Sequence, residues 1–298
     1  MYALGSVAKT FVATAALQLA ERGTIGLDDD VNGYLDFAVR NPAYPDTPVT
    51  IRLLLAHRAG MAHDLPPSRV WDNDRKMLWW LFWNRGFNVQ NLTAALGRRP
   101  GLEEFLKESF TPGGKYYGPN FWIAEPGTKY QYSSAGLQLL LPYLVEQVTG
   151  QSFADYVQEN ILDPLGMTST GYEASHFAGR LERPHEQIDG KLRALPASGW
   201  NASGKSRSTA VDLSQFLIAH LNDGRHGDVQ VLQPATVELM HDLISPLDCP
   251  AFFGLHLRGY GLGWELYRDG YRGIPAPVRA TWPTWFSMMT GRAVTGSC

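Results

Sequence analysis

The chain has 298 residues, a length that suits one large domain or two modest ones. Hydrophobic residues make up 44% of it and charged residues 18%, proportions typical of an ordinary globular protein. The net charge is −3 without any long run of Lys or Arg, which argues against nucleic acid or an acidic membrane surface as a partner. No stretch approaches the roughly 18 apolar residues that a membrane span needs.

The N-terminal segment predicts a helix from Ser6 to Arg22, with Gly23 as its C-terminal stop. Its apolar residues recur at helical spacing and predict a buried stripe. These residues are Phe11, Val12, Ala15, Ala16, Leu19 and Ala20. The segment lacks the basic residues of a secretory signal, so we interpret it as mature structure and expect a cytoplasmic location by default. A longer native form could carry a signal peptide in front of residue 1.

Thr50 is predicted to cap a second short helix over residues 50–55, which runs into His57. We interpret His57 as a hydrogen-bonded structural residue rather than a catalyst. Residues 66–126 predict an irregular insertion with short helices, rich in aromatic side chains. Its aromatic residues include Trp71, Trp79, Trp80, Phe82, Trp83, Phe110, Tyr116, Tyr117, Phe121 and Trp122. They form either a buried satellite cluster, the favoured interpretation, or the walls of an acyl-binding pocket.

Four further helices are predicted over residues 134–149, 153–161, 212–221 and 234–240, and the tail from Tyr260 favours strand and turn. His220 and His226 flank the end of one of these helices and are predicted to face solvent. No linker or repeat marks a boundary, so residues 1–298 predict a single domain. Its helical region covers about residues 6–190 and its sheet-side region about residues 191–298.

Ser6 and Lys9 form an S-x-x-K pattern at the start of the first predicted helix. Residues three apart share a helix face, so the Lys9 amine can reach the Ser6 hydroxyl. A serine hydroxyl is a poor nucleophile until a neighbouring base takes its proton, and a helix N-terminus favours negative charge. On its own the pattern is weak, because a capping serine followed by a surface lysine has the same spacing.

Seven sequence blocks in a fixed order give the pattern a family context. They are residues 5–31, 51–61, 126–136, 149–153, 161–167, 208–213 and 260–264. With them the chain resembles the β-lactamase-related serine hydrolases, which include class C β-lactamases and penicillin-binding-protein-like esterases and D-peptidases. The resemblance implies an α/β (α+β) fold of the β-lactamase/transpeptidase type, with an antiparallel sheet flanked by helices and a helical subdomain.

The same resemblance implies a role for each site residue. Ser6 would carry the acyl group, while Lys9 and Tyr132 would transfer its proton; Tyr130 would be a non-catalytic neighbour. Ser134 would contact the substrate, at a position where many relatives have asparagine. The implied substrates are small esters, amides or β-lactams, and the chemistry needs no metal or organic cofactor. The oligomeric state is not predicted.

The chain also departs from the family pattern. After residues 260–264 the family has a strand with Lys-Thr-Gly or His-x-Gly, whereas Tyr271–Phe286 contains no Lys or His and has three prolines, which argue against a regular strand. Both termini are short against the family, so we expect a truncated member with an incomplete sheet and low activity. Together with Ser134, these departures favour a carboxylesterase or D-peptidase over an enzyme dedicated to antibiotic destruction.

Two other functions stay open. One is a catalytically weak or inactive penicillin-binding-like protein that only captures a ligand. The other, more remote, is a nucleotide-binding P-loop, because Gly199–Ser206 matches G-x-x-x-x-G-K-[ST]. A P-loop needs a buried strand just before it and a helix just after it, and Pro196 breaks the preceding segment.

Overall fold

The computed structural model describes residues 1–62, 101–118, 120–172, 177, 185–188, 191–194, 206–250, 256–267 and 272–273. Most of the tryptophan-bearing part of the insertion and most of Gly199–Ser206 therefore lie outside the described residues. In the part of the insertion that is described, Phe105, Phe110 and Phe121 are buried in the main core. This burial agrees with the interpretation of these aromatic residues as a buried cluster. It does not test whether the remaining aromatic residues of the insertion form an acyl-binding pocket.

Seven α-helices occur among the described residues. They are α1 (Ala8–Glu21), α2 (Ile51–Leu55), α3 (Leu102–Phe110), α4 (Leu141–Thr149), α5 (Phe153–Val157), α6 (Ala210–Leu221) and α7 (Pro234–Met240). Gly5–Val7 forms a 3₁₀ turn directly before α1, and Val31–Gly33 forms another. Two π-helical segments, Ala135–Leu140 and Gln158–Leu162, precede α4 and follow α5.

The strands form small antiparallel sheets. They are β1 (Tyr2–Ala3), β2 (His185–Ile188), β3 (Lys191–Ala194), β4 (Arg207–Ser208), β5 (Arg225–His226), β6 (Val229–Gln230), β7 (Ser245–Pro250), β8 (His256–Tyr260), β9 (Glu265–Tyr267) and β10 (Arg272–Gly273). Strands β7 to β10 form one sheet in the order β10-β9-β8-β7, and the other three sheets are pairs: β1 with β4, β2 with β3, and β5 with β6. The predicted mixed fold, an antiparallel sheet beside helices, is confirmed.

Helix α1 is the centre of the core. Every residue from position 8 to position 19 is buried, so the prediction of a single buried stripe was too narrow. The helix packs against α4, α5 and the π segments, and the Phe11 ring lies 4.4 Å from that of Phe216 on α6. Its alanines allow this enclosure because they let neighbouring backbones approach from several sides.

The four-stranded sheet is attached to the C-terminal end of α2. The Ser245 hydroxyl on β7 donates to the Ala56 carbonyl at 2.8 Å, and the Gly263 N–H between β8 and β9 donates to the Leu55 carbonyl at 3.0 Å. The Leu4 N–H donates to the Ser206 carbonyl and extends the pairing of β1 with β4. The first two bonds therefore join the four-stranded sheet to the end of α2, and the third fixes the residues just before the start of α1.

Local signals placed several boundaries correctly. The Thr50 hydroxyl accepts the Leu53 N–H and caps α2, and Gly150 ends α4 in the left-handed conformation. The short strand β10 precedes Pro275, and the proline-containing segment beyond it lies outside the described residues.

The prediction that His220 faces solvent is wrong. Its side chain is buried, because α6 turns it toward the α1 side of the core.

None of the helices in the described part of the chain is both long enough and apolar enough to cross a bilayer.

Candidate active site

Ser6 lies in the 3₁₀ turn that leads into α1. Gly5 has a positive φ of 54°, which lets the chain turn sharply from β1 into the helix. Ser6 is buried, with 8% of its surface exposed, and the pairing of β1 with β4 fixes the preceding residues. The hydroxyl is therefore held just before α1, whose residues 8–19 are all buried.

Lys9 lies one turn further on and contacts the same hydroxyl. Its Nζ donates to Ser6 Oγ at 3.0 Å, and the side chain is fully buried. Its Nζ also lies 4.6 Å from the centroid of the Tyr132 ring, over the ring face. A buried ammonium group needs such neighbours, because removal from water is costly unless hydrogen bonds and cation–π contacts replace it.

Tyr132 approaches Ser6 from a segment 126 residues away in sequence. Its hydroxyl donates to Ser6 Oγ at 2.9 Å. The structure therefore brings Ser6, Lys9 and Tyr132 together around one oxygen atom, with both contacts within hydrogen-bonding distance. Tyr130, two residues earlier, instead has its ring about 6 Å from the rings of His57 and Tyr260.

His57 holds the segment that carries Tyr132. Its backbone carbonyl accepts the Gln131 N–H at 2.8 Å, and its ring Nδ1 accepts the Ser133 N–H at 3.1 Å. The ring itself lies 4.4 Å from the Tyr132 ring. His57 is thus a hydrogen-bonded structural residue, as its position after α2 indicated.

A match to the beta-lactamase family model extends over residues 1–295, nearly the whole chain. The chain belongs to the beta-lactamase family. This family consists of serine hydrolases.

Similar proteins support the family and its fold. The chain is 29% identical to penicillin-binding protein 4 of Amycolatopsis lactamdurans over 285 residues, covering 91% of this chain and 63% of that one. The octameric penicillin-binding protein homologue from Pyrococcus abyssi is 23% identical, with a TM-score of 0.68 over 91% of this chain and 55% of that one. The D-stereospecific amidohydrolase from a Streptomyces species is 22% identical, with a TM-score of 0.57 over 91% of this chain and 79% of that one. The chain spans about half to two thirds of the length of the first curated relatives that it matches.

Ser134, the expected substrate contact of this beta-lactamase family member, directly precedes the π segment that leads into α4. It is half-buried, and its hydroxyl makes no capping hydrogen bond. Its neighbour Ser133 is buried and donates to the Ala62 carbonyl at 2.7 Å. A substrate contact for Ser134 remains a prediction, since no hydrogen bond joins its side chain to the Ser6 group.

Sequence reasoning missed two residues near the site, Tyr260 and Glu265, which flank the Gly-Leu-Gly-Trp segment. Tyr260 is fully buried, its ring lies 4.7 Å from that of His57, and burial raises its pKa. Burial also raises the pKa of Glu265, while the Tyr267 hydroxyl and the charge of Lys9 act in the opposite direction. In the sequence, residues 260–264 were used only as evidence for the family resemblance. The aromatic Tyr260 and the carboxylate of Glu265, on either side of the Gly-Leu-Gly-Trp segment, could have indicated residues that line the site.

The described residues also bear on metal binding and on the P-loop alternative. Within the described ranges, no group of three or more His, Cys, Asp or Glu is arranged to hold a metal ion. Ser206, the last residue of the P-loop pattern, continues into strand β4, and α6 begins only at Ala210 under the cap of Thr209. A P-loop requires its helix directly after the Lys-Ser pair, so this arrangement disfavours nucleotide binding there.

Proposed function

We propose that this protein is a serine acyl hydrolase that cleaves small esters or amides through an acyl-enzyme on Ser6. One observation carries the proposal: the Ser6 hydroxyl lies 3.0 Å from Lys9 Nζ and 2.9 Å from Tyr132 Oη. Two groups that can exchange protons with one serine oxygen provide what this nucleophile needs in order to attack a carbonyl carbon.

The proposed reaction has two steps. With one member of the Lys9–Tyr132 pair deprotonated, Ser6 Oγ attacks the carbonyl carbon, its proton passes to the pair, and the leaving group departs with that proton. Water then attacks the acyl carbon and gives a proton to the pair. The bond between the acyl group and Ser6 Oγ breaks, the acid product leaves, and the pair returns the proton to Ser6 Oγ. The pair is treated as a unit, because which member acts as base in enzymes with this pattern is disputed.

The start of α1 also suits the developing negative charge of the transition state. Ser6 belongs to the first helical turn, where backbone N–H groups have no acceptor within the helix. Donors aimed at a developing oxyanion stabilise it strongly, and loss of one such donor reduces kcat by about 10²–10³. We assign the Ser6 N–H as one of these donors.

For the substrate we favour simple esters and D-peptide-like amides over β-lactam antibiotics. Ser134 has a hydroxyl where many relatives have an amide side chain, and a hydroxyl cannot present a separate amide donor and carbonyl acceptor. The similarity to a D-stereospecific amidohydrolase and to a penicillin-binding protein supports this range of substrates.

Hydrolysis of p-nitrophenyl esters and of D-amino-acid p-nitroanilides tests the proposal. Ser6→Ala should reduce kcat by at least about 10³-fold, because the nucleophile is lost. Ser214→Ala is the matched control: this serine on α6 bonds only to the Val211 carbonyl of its own helix. The control should retain the wild-type rate.

Equal rates for the wild type and Ser6→Ala would contradict the proposal. A fluorescent penicillin separates hydrolysis from ligand capture: stable labelling of Ser6 without turnover would instead support the capturing protein.

A further inference from the structure

The segment that carries Tyr132 is fixed on both sides by a single residue. The N–H groups of Gln131 and Ser133 both point toward His57, as alternate N–H groups of an extended chain do. One donates to the His57 carbonyl at 2.8 Å and the other to the ring Nδ1 at 3.1 Å. Tyr132 lies between these two hydrogen bonds.

The backbone conformation of His57 makes this double contact possible. Its φ is +55°, in the left-handed region that is uncommon for residues other than glycine, although asparagine, aspartate and histidine adopt it more often than the rest. This turn at the end of α2 directs the carbonyl and the ring toward the same segment. A non-glycine residue kept in this region indicates that the surrounding contacts determine it.

The His57 ring also contacts the reacting side chain directly. It lies 4.4 Å from the Tyr132 ring on one side and 4.7 Å from the buried Tyr260 ring on the other. The His57 side chain is buried, with 2% of the residue exposed. His57, which is anchored in the core, therefore holds the backbone on both sides of Tyr132 and contacts the Tyr132 ring.

We propose that His57 is a positioning residue that keeps the Tyr132 hydroxyl within reach of Ser6; this inference rests on the proposed function. His57 acts through Tyr132. Nδ1 accepts a hydrogen bond, so the ring must be neutral, with its proton on Nε2. Misplacement of a catalytic group by about 1 Å can cost roughly 10²-fold in rate, so loss of this support should be measurable.

Two substitutions distinguish the effect of the hydrogen-bond acceptor at His57 from the effect of its backbone conformation. His57→Asn keeps an acceptor near the Nδ1 position, and His57→Gly removes it; both residues tolerate a positive φ. The rate of Ser6 modification by a fluorophosphonate and the kcat for ester hydrolysis should fall roughly tenfold or more in His57→Gly, with KM little changed. His57→Asn should recover most of the rate.

A double mutant distinguishes positioning from general damage. If His57 acts through Tyr132, His57→Gly should change the labelling rate little in a Tyr132→Phe background. Equal losses in both backgrounds, or a wild-type rate for His57→Gly, would overturn the proposal. Ser6→Ala tests the proposed function separately. Full activity of that variant would contradict the proposed hydrolase function, but it would not change the observed contacts of His57.

A measurement on the unmodified protein gives a further test should His57→Gly fail to fold. Nitrogen-15 NMR of histidine-labelled protein should show His57 as the neutral Nε2–H tautomer, with the Ser133 amide proton coupled to Nδ1. A proton on Nδ1 would contradict the inference, because that atom could then not accept the Ser133 hydrogen bond.

Discussion

At the scale of single residues, Ser6 is the hydrogen-bond acceptor for two very different groups. Lys9 is fully buried one helical turn away, and Tyr132 is half-buried and arrives from a distant loop. Because the lysine contact is local, the sequence spacing showed that it was possible, and the family resemblance favoured it over a surface lysine. The tyrosine contact depends on the tertiary fold, and only the resemblance to a family selected Tyr132 over Tyr130.

The choice between these two tyrosines gives a direct prediction. Tyr132→Phe removes only the hydroxyl that lies 2.9 Å from Ser6 Oγ, so kcat for ester hydrolysis should fall by about 10²–10⁴-fold, the usual contribution of a proton-transfer group. Tyr130→Phe, the same change two residues away, should leave kcat close to wild type. Steady-state kinetics on a p-nitrophenyl ester measures both, and the opposite ranking would transfer the proposed role to Tyr130.

At the scale of secondary structure, the close approach of the sheet to α1 depends on Gly263. Its φ is +84°, and a Cβ added there would lie 2.5 Å from the Ala13 Cβ. Its N–H is also bonded to the Leu55 carbonyl, so the loop cannot withdraw without losing that contact. This loop therefore determines how closely β8 and β9 pack beside α1, the helix that carries Lys9.

Gly263→Ala should destabilise the fold by roughly 1–3 kcal/mol from overpacking, in addition to the strain of a positive φ. Gly23→Ala is the matched control, because Gly23 has a similar φ of +70° but open space around its Cβ position. Its cost should be only the conformational one, roughly 1–2 kcal/mol. Urea unfolding of both variants gives the comparison, and equal losses would show that the contact with Ala13 is unimportant.

The helices also show which structural features the sequence predicts and which it does not. Caps such as Thr50 and stops such as Gly150 act within a few residues, and they were predicted correctly. The π segments before α4 and after α5 were predicted as ordinary helix, because segments of six and five residues are too short for the apolar pattern to distinguish a π-helix from an α-helix. His220 was predicted to be exposed, since one polar residue near a helix end gives no sign of what packs over it.

At the scale of the whole molecule, the buried His220 links stability to pH. Burial, with a smaller contribution from the charge of His241, lowers the pKa of His220 to about 3. In the unfolded chain a histidine titrates near 6.5, so between these two values only the unfolded state gains the proton. The free energy of unfolding should therefore fall as the pH drops from about 6.5 toward 3, by at most about 1.4 kcal/mol per unit from this residue.

His220→Gln should weaken this dependence because the titrating group is gone, although loss of its contact with Thr14 should lower stability at neutral pH as well. Ser214→Ala, a change on the same helix that removes no titrating group, should leave the pH dependence unchanged. Thermal unfolding of the three proteins from pH 4 to pH 8 tests this. An unchanged acid slope in His220→Gln would mean that other groups cause the acid sensitivity.

The central claim is that Ser6 forms an acyl-enzyme. Rapid acid quenching of the protein with a p-nitrophenyl ester, followed by peptide mass spectrometry, measures it most directly. We predict one added acyl group on the peptide containing Ser6 and none in Ser6→Ala. Product formation without any adduct on that peptide, or an adduct that persists in Ser6→Ala, would contradict the account.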